Sequence, residues 1–223
     1  MKSQDILILL KLASISLQEK KIVSYQAGAW EDWEIEEVEL ITQGELRFAY
    51  KSALHEADSD AGQTYYESLR SIRSLAESTG VSKSEVSVAL HRSYFSGLAI
   101  QDRLSGTPRV NISGLTEFII HGLRYVFPVK PAEIGRGIAT TWAAPVLREV
   151  LVSGGDTPLI WPDPRGQTKG QVLAPLFKTA PNAVKADPYL YSMLALVDSI
   201  RVGMARERKL AADKLVEIMK GAG

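Results

Sequence analysis

The chain has no cysteine among its 223 residues, which excludes disulfide bonds and thiolate metal sites. Histidine is also scarce. His55, His91 and His121 are scattered, and no two of them stand four residues apart as paired metal ligands on one helix would. The sequence therefore predicts no metal and no cofactor, and the absence of cysteine fits a reducing compartment such as the cytoplasm.

Long apolar runs are absent as well. The run from Ile6 to Leu10 is flanked closely by Asp5 and Lys11, so it is too short to span a membrane and reads poorly as a signal peptide. Its spacing instead predicts a buried helix over residues 3–17. With 45% apolar and 23% charged residues, the composition is that of a globular, cytoplasmic protein.

Net charge is zero, but the two signs are unevenly distributed. Residues 1–65 hold six Lys or Arg against twelve Asp or Glu, and residues 66–223 hold twenty against fourteen. Opposite charge on two parts of a chain fits an anion-binding region beside an acidic one, and uneven solvated surface explains it equally well.

The acidic excess is concentrated in residues 31–39, where six of nine residues are Asp or Glu. Periodicity leaves helix and strand both open for residues 30–41. Trp30 and Trp33 interrupt the acidic stretch, and such rings need burial in a core or in an interface. The segment is therefore predicted to be either a solvated face or a contact surface for a partner protein.

The segment from Ile72 to Arg92 reads IRSLAESTGVSKSEVSVALHR and predicts two helices joined by a tight turn. Gly80 suits the positive φ at which a first helix ends, and Val81 points inward. Ser82 caps the second helix, with Glu85 completing a capping box. Val86 and Leu90 then face the first helix, one turn apart.

The second helix is left with a short, polar and partly basic outer face. Such a face fits a major groove about 12 Å wide, where side chains contact base edges and phosphates. The predicted DNA contacts on this helix are Lys83, Ser84, Ser87, Val88, His91 and Arg92.

This segment is similar to the helix-turn-helix of bacterial transcriptional regulators, and the residues after it favour the winged version. Residues 98–112 predict a β-hairpin, with Arg103 and Arg109 near its tip, where the resemblance implies contact with phosphate or the minor groove. The resemblance also implies a preceding helix, which either residues 3–17 or residues 45–57 supply.

The rest of the chain is assigned by pattern. Residues 64–79 read as one helix, Ser113 caps a helix that Pro128 and Pro131 end, and residues 132–152 read as partly helical. The remaining segments predict a long loop at 153–171, short helices at 172–186, and strong helices at 188–202 and 204–219, either one rod bent near Gly203 or a pair.

These elements predict a mainly α protein with a small β-hairpin wing. The division is an N-terminal helix with the acidic excursion at 1–63, a winged helix-turn-helix domain at 64–128 and a helical C-terminal domain at 129–223. The last helices are apolar along one face, which fits either a dimer interface or packing within one chain.

No catalytic constellation is present, so no enzyme is predicted. Ser153–Asp156 lacks the lysine of a phosphate-binding loop, and no G-x-S-x-G motif occurs. Asp163 and Arg165 beside Trp161 form a candidate polar site, but a proline-locked loop whose tryptophan docks on the core is the preferred interpretation. His121, within an apolar helix, is typical of a structural histidine.

The sequence thus predicts a sequence-specific regulator that binds double-stranded DNA, as a homodimer because one recognition helix reads few bases. The alternative is a protein–protein interaction module. The region from Leu115 to Gly223 bears a general likeness to bacterial winged-helix proteins encoded beside toxin or defence genes, which implies an antitoxin-like partner protein acting through the acidic tryptophan segment.

Overall fold

A helix at the N-terminus, α1 (Ser3–Glu19), runs through the centre of the protein. The structure, a computed structural model, describes residues 1–20, 30–34, 60–148 and 157–223. Apolar residues occupy all sides of α1 between Ile6 and Leu17, and a helix of that kind must be covered all round. The predicted buried helix is therefore confirmed, and α1 packs against elements from both halves of the chain.

Three helices follow on one side of α1: α2 (Asp60–Leu69), α3 (Ile72–Thr79) and α4 (Lys83–Phe95). The prediction of a single helix over residues 64–79 is wrong, because the helix is interrupted at Arg70 and Ser71. The Arg70 guanidinium is buried and pairs with Glu19 at 2.5 Å, and Ser71 begins α3 by accepting the Ser74 N–H. That ion pair lies across the break between α2 and α3.

A hairpin leaves the end of α4. Strands β1 (Ala99–Gln101) and β2 (Pro108–Val110) pair antiparallel, with Ile100 opposite Arg109, so the predicted hairpin is confirmed with shorter strands. A helical rod follows, built from α5 (Ile112–Glu117), a π-helical turn (Phe118–Gly122) and α6 (Leu123–Val126). Its cap is Asn111, which accepts the Gly114 N–H, and not Ser113 as predicted.

A small sheet occupies a region predicted as partial helix and long loop. Strand β3 (Ile134–Thr140) pairs antiparallel with both β4 (Leu159–Pro162) and β5 (Thr168–Val172). The ends of β4 and β5 pair in parallel, so the three strands close on themselves. Of the helix predicted within 132–152, the described residues contain α7 (Pro145–Arg148) and a 3-10 turn before it.

The chain is helical from residue 180 onward, whereas the helical domain predicted for residues 129–223 also contains the small sheet. Pro181 lies in the first turn of α8 (Ala180–Ala183), which continues into a 3-10 turn. The last two helices, α9 (Pro188–Val202) and α10 (Ala205–Ala222), are separated by Gly203 in extended conformation and pack against each other. They form a helical pair, so the single bent rod is wrong.

The described part of the acidic segment docks on the small sheet. Asp32 accepts the Ala139 N–H at 2.6 Å and the Thr168 hydroxyl at 2.8 Å, and Glu34 pairs with Arg136 at 3.1 Å. Most of residues 30–41, and the helix predicted at 45–57, lie outside the described residues. Within residues 30–34, at least two of the carboxylates bind the chain itself.

The fold class is mainly α with small sheets, and in that form the prediction is confirmed. Buried apolar side chains from residues 6 to 222 form one connected core, while the predicted three-part division stays a prediction. Among the described helices, none is long and apolar enough to cross a membrane.

Candidate nucleic-acid interface

The turn between α3 and α4 follows the predicted chemistry closely. Gly80 has φ of 67° and donates its N–H to the Ala76 carbonyl, which closes α3. Ser82 accepts the Glu85 N–H at 3.3 Å and so begins α4, while Val81 is buried. The Glu85 carboxylate does not complete the predicted capping box with Ser82: it accepts instead from the Gln4 side-chain amide at 2.5 Å, which ties the first turn of α4 to α1.

The inner face of α4 fixes its orientation. Val86, Ala89, Leu90 and Ser93 are buried, and α4 packs against both α1 and α3. α1 packs against both helices of this pair, while residues 45–57, the other predicted candidate for a preceding helix, lie outside the described residues. The opposite face of α4 must then point away from the core.

That opposite face is open. Lys83, Ser84 and His91 are exposed, Ser87 is half-buried, and Val88 is 47% exposed. Apart from the ring of His91, which meets Tyr94 edge-on, these side chains are short or flexible. The predicted outer face is therefore present as a ridge with one lysine near its N-terminal end.

Arg92 does not belong to this outer face. Its Nε and Nη2 donate to the two carboxylate oxygens of Asp5 at 2.9 and 2.5 Å, and its side chain is only 24% exposed. The Asp5 carboxylate is fully buried, and this bond raises the pKa of the Arg92 guanidinium above its ordinary value. The prediction of an outward-facing Arg92 is corrected: it clamps α4 to α1.

At the hairpin, the two predicted arginines have different surroundings. Arg103 is exposed at the tip beside Leu104, whose side chain is 100% exposed. Arg109 Nε lies 2.9 Å from Asp102 Oδ2, close enough for an ion pair but without hydrogen-bond geometry. Arg103 is therefore free to reach a ligand, whereas Arg109 is held against the hairpin.

Asp102 organises the hairpin tip. Its Oδ1 accepts the backbone N–H of Ser105 and of Leu104, and these bonds, more than nearby Arg109, lower the pKa of Asp102 to about 2. The tip therefore carries an ionised carboxylate whose hydrogen bonds are made within the hairpin itself.

Sequence reasoning missed one cation beside the helix pair. Thr179 donates its hydroxyl to the Thr79 carbonyl at 2.6 Å and lies against Gly80, so the preceding residue, exposed Lys178, lies close to the turn between α3 and α4. The contact joins residues 100 positions apart. No local pattern in the sequence signals it.

The tryptophans of the acidic segment are buried within the chain. Trp33 is 2% exposed and meets Trp30 and Tyr191 edge-on at 5.4 and 6.3 Å. Its strand-like contact is with Gly166, in the connection between β4 and β5. The two tryptophan rings are thus part of the core. The described acidic residues within 31–34 bind elsewhere in the chain and leave the outer face of α4 uncovered.

The other candidate polar sites have structural partners. Trp161 is buried and donates to Asp198 at 2.6 Å, as the preferred interpretation of this segment requires. Asp163 pairs with buried Lys185 at 2.8 Å. Among the described residues, no cluster of His, Asp or Glu could hold a metal ion, and His55 lies outside them.

Comparisons of the chain with models of protein families, with curated proteins and with solved structures found no match. Function must accordingly be argued from the geometry of α3, α4 and the hairpin themselves.

Proposed function

We propose that this chain is a sequence-specific DNA-binding transcriptional regulator in which α1, α3, α4 and the hairpin act as a winged helix-turn-helix unit. The single observation that carries the proposal is the division of α4 into a clamped inner face and an open, polar outer face. It is a proposal for a binding protein and not for an enzyme.

The outer face suits a major groove for geometric reasons. A groove about 12 Å wide admits a helix if the side chains that point into it are small. Ser84 and Ser87 are small and can exchange hydrogen bonds with base edges, while Lys83 offers three donors to phosphate or guanine. Val88 adds an apolar contact of the kind that reads a thymine methyl group.

The surrounding cations fit phosphates on either side of the groove. Arg103 extends from the hairpin tip, and Lys178 lies close to the turn between α3 and α4. Such contacts position a protein on the duplex without reading sequence. Arg92 supports the same arrangement indirectly, because it fixes the angle at which α4 leaves α1.

We propose a homodimer as the binding unit. One recognition helix reads few base pairs, and a two-fold pair of helices one DNA turn apart, about 34 Å, extends the site. The operator would then be a palindrome with half-sites about 10 base pairs apart.

The test is selection of bound DNA from a pool of random 30-base-pair duplexes, followed by titration of the enriched duplex at 50 and 200 mM salt. We expect a palindromic sequence bound at least about 1,000-fold more tightly than a shuffled duplex, with affinity that falls as salt rises. No enrichment, or equal affinity for the shuffled duplex, would contradict the proposal.

The second candidate function is a protein–protein interaction module, and exposed apolar side chains favour it. Phe95, at the end of α4, is 97% exposed, and Leu104, at the hairpin tip, is 100% exposed. Trp30 and Trp33, which were the predicted contact surface, are buried within the chain. A partner that co-purifies with the wild-type chain and is lost with Phe95→Ser, but kept with Tyr125→Ser, supports this function.

A further inference from the structure

A groove lies between the π-helical turn with α6 on one side and the helical pair α9 and α10 on the other. Its volume is about 350 Å³, within the range of small-molecule sites. Ile120 and buried Ile200 form part of an apolar floor, and Ala212 continues it. The π-helical turn that shapes one wall is a rare element that occurs frequently at functional sites.

Cations dominate the rim of this groove. Arg124 projects from α6, and Arg208 and Lys209 project from the second turn of α10. His121 also lines the groove and is exposed, in place of the structural histidine predicted within this helix. The lining contains one carboxylate, Asp213.

These charges are not neutralised by salt bridges within the described part of the chain. No carboxylate lies within 4 Å of the guanidinium or ammonium groups of Arg124, Arg208 and Lys209 there, and Asp213 is likewise unpaired. Arg208 donates to the Gly203 carbonyl, and Arg124 lies 5.2 Å from the ring of Tyr125. Three cations against one carboxylate leave a positive potential, which a concave wall concentrates.

We propose that this groove binds a small amphipathic organic anion, with its apolar part on the floor and its carboxylate or sulfonate between Arg124 and Lys209. The apolar floor favours such a molecule over an inorganic anion, which would gain nothing from Ile120 and Ile200. A groove of about 350 Å³ suits a small molecule, whereas the phosphates of a duplex need an accessible ridge or a wide channel. The site is separate from the outer face of α4, so this inference does not depend on DNA binding.

The test uses 8-anilinonaphthalene-1-sulfonate as the fluorescent probe and the neutral N-phenyl-1-naphthylamine as its uncharged analogue. We expect one saturable sulfonate site per folded chain. Because each variant reverses a charge in contact with the anion, Lys209→Glu or Arg124→Glu weakens binding about tenfold or more. The neutral analogue is expected to bind more weakly and to be insensitive to both variants.

The matched control is Lys220→Glu, which makes the same charge change at an exposed position near the end of α10. It is expected to change sulfonate affinity less than twofold, and circular dichroism melting verifies that each variant is folded. Absence of saturable binding, an equal effect of Lys209→Glu and Lys220→Glu, or equal binding of the neutral analogue would overturn the proposal. It would also be overturned if Lys209→Glu weakened binding of a 20-base-pair duplex and left the sulfonate unaffected, because the basic rim would then be a phosphate contact.

Discussion

Asp5 and Arg92 form an ion pair that joins the start of α1 to the last turns of α4. The carboxylate is completely buried, and it accepts two bonds from the guanidinium and one from the Lys2 N–H at 2.7 Å. Burying a carboxylate is costly unless its charge is balanced and its lone pairs are used. Arg92 therefore stabilises the position of α4, and its contribution to any DNA contact is indirect.

Replacing Arg92 by Ala is expected to lower the free energy of unfolding by about 3 kcal/mol, because the Asp5 carboxylate would remain buried without its counter-charge. The measurement is urea denaturation of wild type and variant. The control is Arg73→Ala, which breaks an exposed pair with Glu77 and is expected to cost less than about 1 kcal/mol. Equal destabilisation by the two variants would show that the buried pair is not special.

The same residue shows where sequence reasoning stops. Helical spacing places the Cβ of Arg92 at the edge of the outer face, and this much could be predicted. It does not determine where a long, flexible side chain ends, since that depends on Asp5, 87 positions away in the sequence. Lys83 and Ser84 could be predicted as exposed because no such buried partner competes for them.

At the scale of elements, the turn between α3 and α4 was predictable because its determinants are local. Gly80, Val81 and Ser82 are consecutive, and they form the turn through a positive φ, a buried side chain and a helix cap. The hydrogen bonds of Gly80 and Ser82 reach no further than four residues along the chain. The hairpin was predictable for a similar reason, since its strands are separated by a short turn.

The small sheet could not be predicted in this way. Its strands are rich in glycine because their backbones approach closely: a Cβ at Gly137 would lie 1.8 Å from the Trp161 carbonyl oxygen. Glycine and proline in one stretch of sequence indicate loops when no partner strand is known. The partner strands of β3 begin 19 and 28 residues after its last residue, so no local pattern in the sequence signals the pairing.

Gly80→Ala is expected to destabilise the protein by about 2 kcal/mol for two reasons. An alanine at φ of 67° is strained, and its Cβ would lie 3.1 Å from the Thr179 side chain. Gly97→Ala separates the two effects, because Gly97 has φ of 72° with nothing within 4 Å, and about 1 kcal/mol is expected there. Thermal or urea unfolding of both variants measures the difference, which would vanish if contact with Thr179 were unimportant.

The hairpin tip is expected to loosen in acid. Since the pKa of Asp102 is lowered from 3.8 to about 2 in the folded chain, the ionised carboxylate stabilises the tip above about pH 4. This stabilisation is lost as pH falls from 4 through 2. NMR titration of the carboxyl group and of the Leu104 and Ser105 amides checks it. Arg109→Gln is expected to leave the pKa low, because the backbone bonds are the main cause, and a return to 3.8 would contradict this.

At the scale of the whole molecule, α1 is the element shared by the two halves. It packs against α3 and α4 on one side and against α9 and α10 on the other. Residues 30–34 connect back to the small sheet through Asp32 and Trp33. Sequence patterns predict that α1 is buried and that residues 188–202 and 204–219 are helical. They carry no information on which of these elements pack together across the core.

Trp33→Ala is expected to lower the free energy of unfolding by about 3 to 5 kcal/mol, because the ring is buried against Trp30 and Tyr191. Phe95→Ala is the control: its ring is almost fully exposed, and a change within about 0.5 kcal/mol is expected. Urea unfolding of the two variants is the measurement. A Trp33→Ala chain as stable as the wild type would show that this ring contributes little to the core.

Charge reversal at Lys83 tests whether the outer face of α4 binds DNA as proposed. The measurement is the affinity of Lys83→Glu for the duplex enriched by selection, compared with Lys169→Glu, an equal charge change at an exposed position of β5. We expect a loss of about 1 to 3 kcal/mol for Lys83→Glu, with a salt dependence reduced by about one ion, and little change for Lys169→Glu. Equal affinities for the two folded variants would show that this face of α4 does not bind DNA.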